Sequence, residues 1–304
     1  MTSHDGDRPY LALFVRLIGA AGFAVMAALI KLASERGVHL AEIVFWRQAT
    51  TVPIMLCWAL AAGGLGTLRT NRPGAHAMRG LYGIAGMAFN FGAVILLPLA
   101  EAATFNMSAP IWAVTLSVVL LREKVGVWRC LAVAAGFMGI VVIMQPGGGH
   151  IPLFGAVVAL VGAFLVALIS IQIRDLSRTE KPVAIVFWFS LISVICTAPF
   201  MPFVMADHSP ADWLLLLGIG LTGTMAQLMV TLALRYGQVS SVIVMDYSSI
   251  IWATLIGWLV FANMPPATTW LGAPLVVTAG LTIAWRERTL ARNRLEALAR
   301  ASGT

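Results

Sequence analysis

Charge is scarce in this chain. Of its 304 residues only 11% are charged, 60% are hydrophobic, and the mean hydropathy is +0.89. A soluble domain carries about a quarter charged residues, because its surface must face water, so most of this surface must face lipid. Cysteine is scarce as well. Cys57, Cys130 and Cys196 lie scattered in or beside apolar segments; an odd, unclustered set gives no disulfide framework and no metal-type spacing, and reads as buried small hydrophobes. The five histidines, His4, His39, His76, His150 and His208, fall in loops or near the ends of apolar runs. No HExxH, GxSxG, Walker loop or paired-cysteine motif is present. An intramembrane enzyme therefore has no visible machinery, and neither cofactor nor metal is expected. The basic residues, which give a net charge of +7, sit in short clusters beside apolar runs. That pattern fits membrane topology and not nucleic-acid binding.

What is there is a succession of long apolar runs. A helix needs about 20 mostly apolar residues to cross about 30 Å of hydrocarbon. That rule places spans near 11–33, 43–62, 78–97, 102–121 and 125–144, and again near 153–173, 183–205, 213–235, 239–261 and 266–285. The first run is too long for a secretory signal and is expected to remain as a span. With ten spans, 17 of the 20 basic residues fall on one face, leaving Lys31 and Arg36 on the other and Arg47 just inside span two. The positive-inside rule then puts both termini in the cytoplasm of an all-α, multi-pass protein. The basic tail after Arg286 is read either as a stop signal fixing orientation or as a helix lying on the anionic inner leaflet, where each basic residue contributes about 1 kcal/mol.

The chain also repeats itself. Ile43-Val44-Phe45-Trp46 recurs unchanged as Ile185-Val186-Phe187-Trp188, 142 residues later. Leu13-Phe14 matches Leu153-Phe154, Gly22 matches Gly162, and Gly139 matches Gly280 at nearly the same offset. The expected organisation is a short N-terminus (1–10), a first five-helix repeat (11–146), a second (151–286) and a basic tail (287–304). Five spans per copy force the second to enter from the opposite side, giving an inverted repeat. In such proteins the substrate site lies near the midplane, where the halves meet.

On this plan, and on the Pro110 region, the turn Leu121-Arg122-Glu123-Lys124, Gly139, and the paired Gly272 and Gly280, the chain resembles the EamA group of the drug/metabolite transporter superfamily. It departs from the pattern at Asn263, where an acid is expected, and at Leu131, where a glycine is expected. Among the branches it looks most like the YddG-type exporters of aromatic and other neutral amino acids. The resemblance implies secondary transport without a cofactor.

Polar residues inside apolar runs are the candidate site. Asp246 lies about 11 Å into span nine at 1.5 Å per residue, where a charged Asp costs about 2.5–3.5 kcal/mol. Its carboxylate either meets a substrate ammonium or carries a proton; the alternative is a pairing with Arg235 near the inner surface. Asn106 occupies the matching place in span four, 140 residues earlier. Pro110 there lacks an N–H and crowds the Asn106 carbonyl, freeing an acceptor; Ser108 follows on the same turn, either facing substrate or bonding its own backbone. Trp112 and Trp252 are again 140 residues apart, and read as aromatic walls of a cavity or as packing. Tyr82, Asn90 and Gln227 either line a polar path or bond between helices. Tyr247 and Ser248 complete the candidate set beside Asp246. Glu42 and Arg47 read as a local ion pair or outer gate, Trp46 and Trp188 as interfacial anchors, and no deep Arg or Lys is foreseen for a substrate carboxylate.

The expectation is a bacterial inner-membrane exporter of neutral, aromatic or apolar amino acids and related metabolites. It would act as a monomer in the bilayer, alternating access around a midplane cavity. Efflux of aromatic cations or drugs is the competing reading; a receptor or lipid-modifying enzyme is the third.

Overall fold

A computed structural model describes residues 9–61, 63–109, 111–112, 115–116, 127–144, 151–176, 179–236 and 248–302. Its helices are α1 (Pro9–Glu35), α2 (Leu40–Ala61), α3 (Pro73–Leu96), α4 (Leu99–Asn106), α5 (Val127–Met144), α6 (Leu153–Leu176), α7 (Pro182–Thr197), α8 (Pro210–Tyr236), α9 (Ser248–Phe261) and α10 (Ala267–Ser302). Six stretches among the described residues are long and apolar enough to cross a membrane, in α1, α2, α3, α6, α8 and the run from α7 to Val204. Shorter apolar segments lie in α5 and α9. Large apolar side chains such as Leu131, Phe154, Leu214, Ile251 and Leu271 point outward, as a lipid-facing surface requires.

Local chemistry explains the boundaries. Pro73 and Pro182 open α3 and α7 at positions where a missing N–H costs nothing. Pro98 separates α3 from α4, and Lys31 Nζ donates to the Leu97 and Val94 carbonyls at 2.7 and 3.4 Å, capping the end of α3. Beyond Asn106 the chain turns at Met107–Ser108 before helical residues resume at 109 and 111–112. That break stands where a proline at 110 would crowd the Asn106 carbonyl. Pro199 and Pro202 tighten the end of the seventh span into a 3-10 turn, Ala198–Phe200, followed by one α-turn, Met201–Val204.

One expectation needs correction. Helix α3 begins at Pro73, about a turn before the predicted edge at 78, so Arg79 is a buried residue inside the helix and not a cytoplasmic charge. The basic tail continues α10 without interruption to Ser302.

The packing is symmetric under exchange of the two halves. Helix α1 packs on α8, and its counterpart α6 packs on α3; α2 packs on α8 and α7 on α3; α1 meets α9 and α6 meets α4. The pairs α2–α7, α4–α9 and α5–α10 map onto themselves. A pseudo-two-fold axis therefore runs between the partners of these three pairs. Close backbone approach seals the last one. A Cβ on Gly139 would stand 2.9 Å from the Gly272 carbonyl oxygen, and one on Gly272 would stand 2.6 Å from that of Gly139.

Candidate functional site

The α2–α7 crossing lies on this axis and carries a polar cluster between apolar layers. Arg47 Nη1 donates to Gln48 Oε1 at 2.9 Å and contacts Met87 Sδ at 3.3 Å. Ser190 and Ser193 of α7 meet the Gln48 amide at 3.4 Å each. One turn on, the Thr51 and Thr224 hydroxyls bond at 2.8 Å, joining α2 to α8. Arg47 is thus not paired with Glu42, as the sequence suggested. Its side chain is 7% exposed and lies against Gly223, with its guanidinium 5.9 Å from the Phe91 ring.

Arg79 approaches the same region from the other end of α3. It is 8% exposed, its guanidinium lies 4.2 Å from the Phe189 ring, and a Cβ at Gly83 would overlap Nη1. Two deep arginines are therefore present where the sequence reading foresaw none. A signal was there to be found: after the identical Ile-Val-Phe-Trp runs the next residue is Arg47 in one half and Phe189 in the other. The repeat also aligns Gly80 and Gly83 with Gly220 and Gly223, at an offset of 140. Arg47 rests on Gly223 as Phe189 rests on Gly83, so the duplication is symmetric in packing and asymmetric in charge.

The predicted site residues divide into groups. Asn90 and Asn106 are brought together: Asn106 Nδ2 donates to Asn90 Oδ1 at 2.9 Å. Asn90 Nδ2 in turn donates to the Gly86 carbonyl at 2.7 Å and to Gly162 of α6 at 3.3 Å, so this amide ties three helices. Ser108 is fully buried and its Oγ donates to the Phe105 carbonyl at 2.6 Å. Trp112 packs edge-on against Phe137 at 5.1 Å and Phe164 at 5.6 Å. The indole N–H groups of both Trp112 and Trp252 are buried and find no acceptor among the described residues. Tyr82, Gln227 and Ser248 are half-buried on α3, α8 and at the start of α9. Asp246 and Tyr247, together with Pro110, lie outside the described residues.

Each end of the bundle is closed by the same pair of polar contacts, made between halves. At one end Arg36, just past α1, pairs with Asp212 of α8 at 3.4 Å, and Glu42 of α2 bonds to His208. At the other end Asp175 of α6 pairs with Arg72, just before α3, at 2.6 Å, and Glu180 lies 3.9 Å from His76 of α3. Thr70 Oγ1 donates to Glu180 at 2.8 Å. Trp46 and Trp188 belong to these clasps and are not simple surface anchors. Trp46 packs edge-on with Trp213 at 5.0 Å, which meets His208 at 5.4 Å, while Trp188 donates to the Leu68 carbonyl at 2.8 Å beside His76.

A duplicated helical bundle with polar groups on its pseudo-two-fold axis is the architecture of a secondary transporter. The chain belongs to the EamA-like transporter family, whose profile matches residues 10–145 and 153–285, one match per half. It is 28% identical to the riboflavin transporter of Vibrio cholerae over 93% of this chain and 96% of that protein. It is 30% identical to the pseudopaline exporter CntI of Pseudomonas aeruginosa over 86% of this chain and 91% of that protein. The S-adenosylmethionine uptake transporter of Rickettsia felis is 23% identical, with 82% and 84% covered. A solved crystal structure shares the fold with a TM-score of 0.61 at 20% identity, covering 89% of this chain and 96% of that one. These relatives are named for carrying small molecules, one outward and one inward.

Proposed function

We propose that this protein exports neutral, aromatic or apolar amino acids and related metabolites across a bacterial inner membrane, as ten spans in two inverted halves with both termini cytoplasmic. The observation that carries the reading is the polar cluster at the α2–α7 crossing. Polar side chains in a bilayer are costly unless they line a cavity or meet partners, and this cluster sits where the two halves meet. The two clasps support a rocking mechanism. Releasing one while the other holds lets the halves rock about the axis and expose the centre to one side at a time. An amino acid brings an ammonium, a carboxylate and a side chain. Asp246 and the Asn106 carbonyl supply acceptors, while Trp112 and Trp252 supply aromatic surface with free indole N–H groups. The competing reading, efflux of aromatic cations, is disfavoured by Arg47 and Arg79, whose positive charge at the centre repels such a substrate. Uptake of labelled tryptophan and of an aromatic quaternary cation into proteoliposomes separates the two. Saturable tryptophan flux is expected, and movement of the cation alone would refute the amino-acid reading.

A further inference from the structure

Arg47 and Arg79 are each more than nine-tenths buried, and among the described residues neither has an acidic partner. The acceptors around Arg47 are a neutral amide oxygen and a thioether sulfur. Arg47 Nε, Arg79 Nε and Arg79 Nη1 are buried with no hydrogen-bond partner among the described residues. Phe91 and Phe189 contact the two guanidinium groups and supply no counter-charge. A guanidinium does not escape this situation by losing its proton, because arginine stays charged in proteins. Two like charges left unpaired in a membrane protein interior are strongly unfavourable, so the site is built to be completed by something negative.

The geometry fits that conclusion. Arg79 Nη1 reaches the level of Gly83 on α3, and Arg47 Nη1 reaches the level of Met87. Those residues are one helical turn apart, about 6 Å along the axis. An oxyanion accepting N–H···O bonds of about 2.7–2.9 Å from each side spans such a gap. The planar fork of arginine is suited to grip a carboxylate in this way. Gln48, which accepts from Arg47, and Ser190 and Ser193, which meet its amide, add neutral polar groups on the Arg47 side, and the Phe91 and Phe189 rings lie against the two guanidinium groups.

We propose that Arg47 and Arg79 form an oxyanion clamp at the centre of the bundle, and that it holds the carboxylate of the transported solute. The inference rests on the transporter reading and narrows its substrate: cargo must carry a carboxylate, whatever the remainder of the molecule. It also supplies the partner for that group which the sequence did not offer.

Binding to the purified full chain in detergent tests it, using labelled tryptophan, tryptophanamide and indole-3-acetate as probes with Arg47→Gln, Arg79→Gln and the corresponding lysine variants. Tryptophanamide removes the carboxylate charge, and indole-3-acetate removes the ammonium. The wild type is expected to bind the two carboxylates at least about tenfold more tightly than the amide. Each glutamine variant is expected to lose about tenfold or more for the carboxylates only, with partial recovery in the lysine variants. Phenylglyoxal labelling of the wild type is a second measurement that needs no variant. Indole-3-acetate should protect Arg47 and Arg79 from the reagent, read by mass spectrometry. If indole-3-acetate binds in an arginine-dependent way and tryptophan does not bind, the clamp stands and the amino-acid reading falls. If tryptophan is bound and transported but no more tightly than its amide, with equal losses for all probes in the variants, the clamp falls and the amino-acid reading stands. Protection by inorganic phosphate but by neither carboxylate would mark a fixed structural anion and overturn the clamp's role in carrying solute.

Discussion

Arg47 and Phe189 occupy matching positions of the two halves and make matching contacts with Gly223 and Gly83. Only one carries charge. An asymmetric substrate needs such a difference inside an otherwise symmetric frame, and the same logic applies to Asn106 and Asp246. The tryptophans give a residue-scale test. Trp112→Ala and Trp252→Ala are expected to reduce vesicle transport of tryptophan relative to threonine by roughly two- to tenfold, the equivalent of an aromatic contact of about 0.5–1.5 kcal/mol. Equal losses for both substrates would make these residues packing elements, as the edge-on contacts of Trp112 with Phe137 and Phe164 already allow. Asp246→Asn removes the charged acceptor for the ammonium and is expected to weaken tryptophan flux; if wild-type flux follows an imposed pH gradient and flux in the variant still does, Asp246 is excluded as the proton carrier. At this scale the sequence was uneven as a guide. Polar residues in apolar runs stood out, so Asn90 and Asn106 were singled out as candidates, but their mutual bond and the tie to Gly162 depend on contacts between separate helices. Arg79 was hidden because hydropathy alone started span three five residues late, placing a buried cation among the topology signals.

At the scale of the helix, glycines and end contacts decide how elements meet. The α5–α10 crossing has no room for a side chain. Gly139→Ala or Gly272→Ala is expected to lower stability by about 1–3 kcal/mol through overpacking against the facing carbonyl, measured as thermal unfolding in detergent. Gly74→Ala, with nothing within 4 Å of its added carbon, should leave the unfolding temperature unchanged. Helix existence and order were legible from run length and proline position. Most boundaries were legible too; the start of α3 was not, because its first polar residues are buried by a clasp between halves. His76 and His208 read as residues in loops or near span ends, and become interior ones, beside Glu180 and Glu42, only when the opposite half packs over them.

For the whole molecule, the repeat was the most informative property of the sequence. The constant offset foretold the exchange symmetry in which α1–α8 answers α6–α3 and three pairs lie on the axis. What the offset cannot convey is which side chains meet across that axis, since each half is read separately. Orientation is open to direct measurement: cysteines placed at residue 4 and at residue 302 should both be shielded from a membrane-impermeant thiol reagent in intact cells, and labelling of either would reverse or break the ten-span topology. The most direct test of alternating access uses the clasps themselves. In a chain with Cys57, Cys130 and Cys196 replaced by serine, Arg36→Cys with Asp212→Cys can be bridged by a short bifunctional thiol reagent at one end. Arg72→Cys with Asp175→Cys can be bridged at the other. With either bridge in place, saturable tryptophan flux into proteoliposomes should stop, and cleaving the bridge should restore it. Flux that continues undiminished with one end held shut would contradict the rocking mechanism.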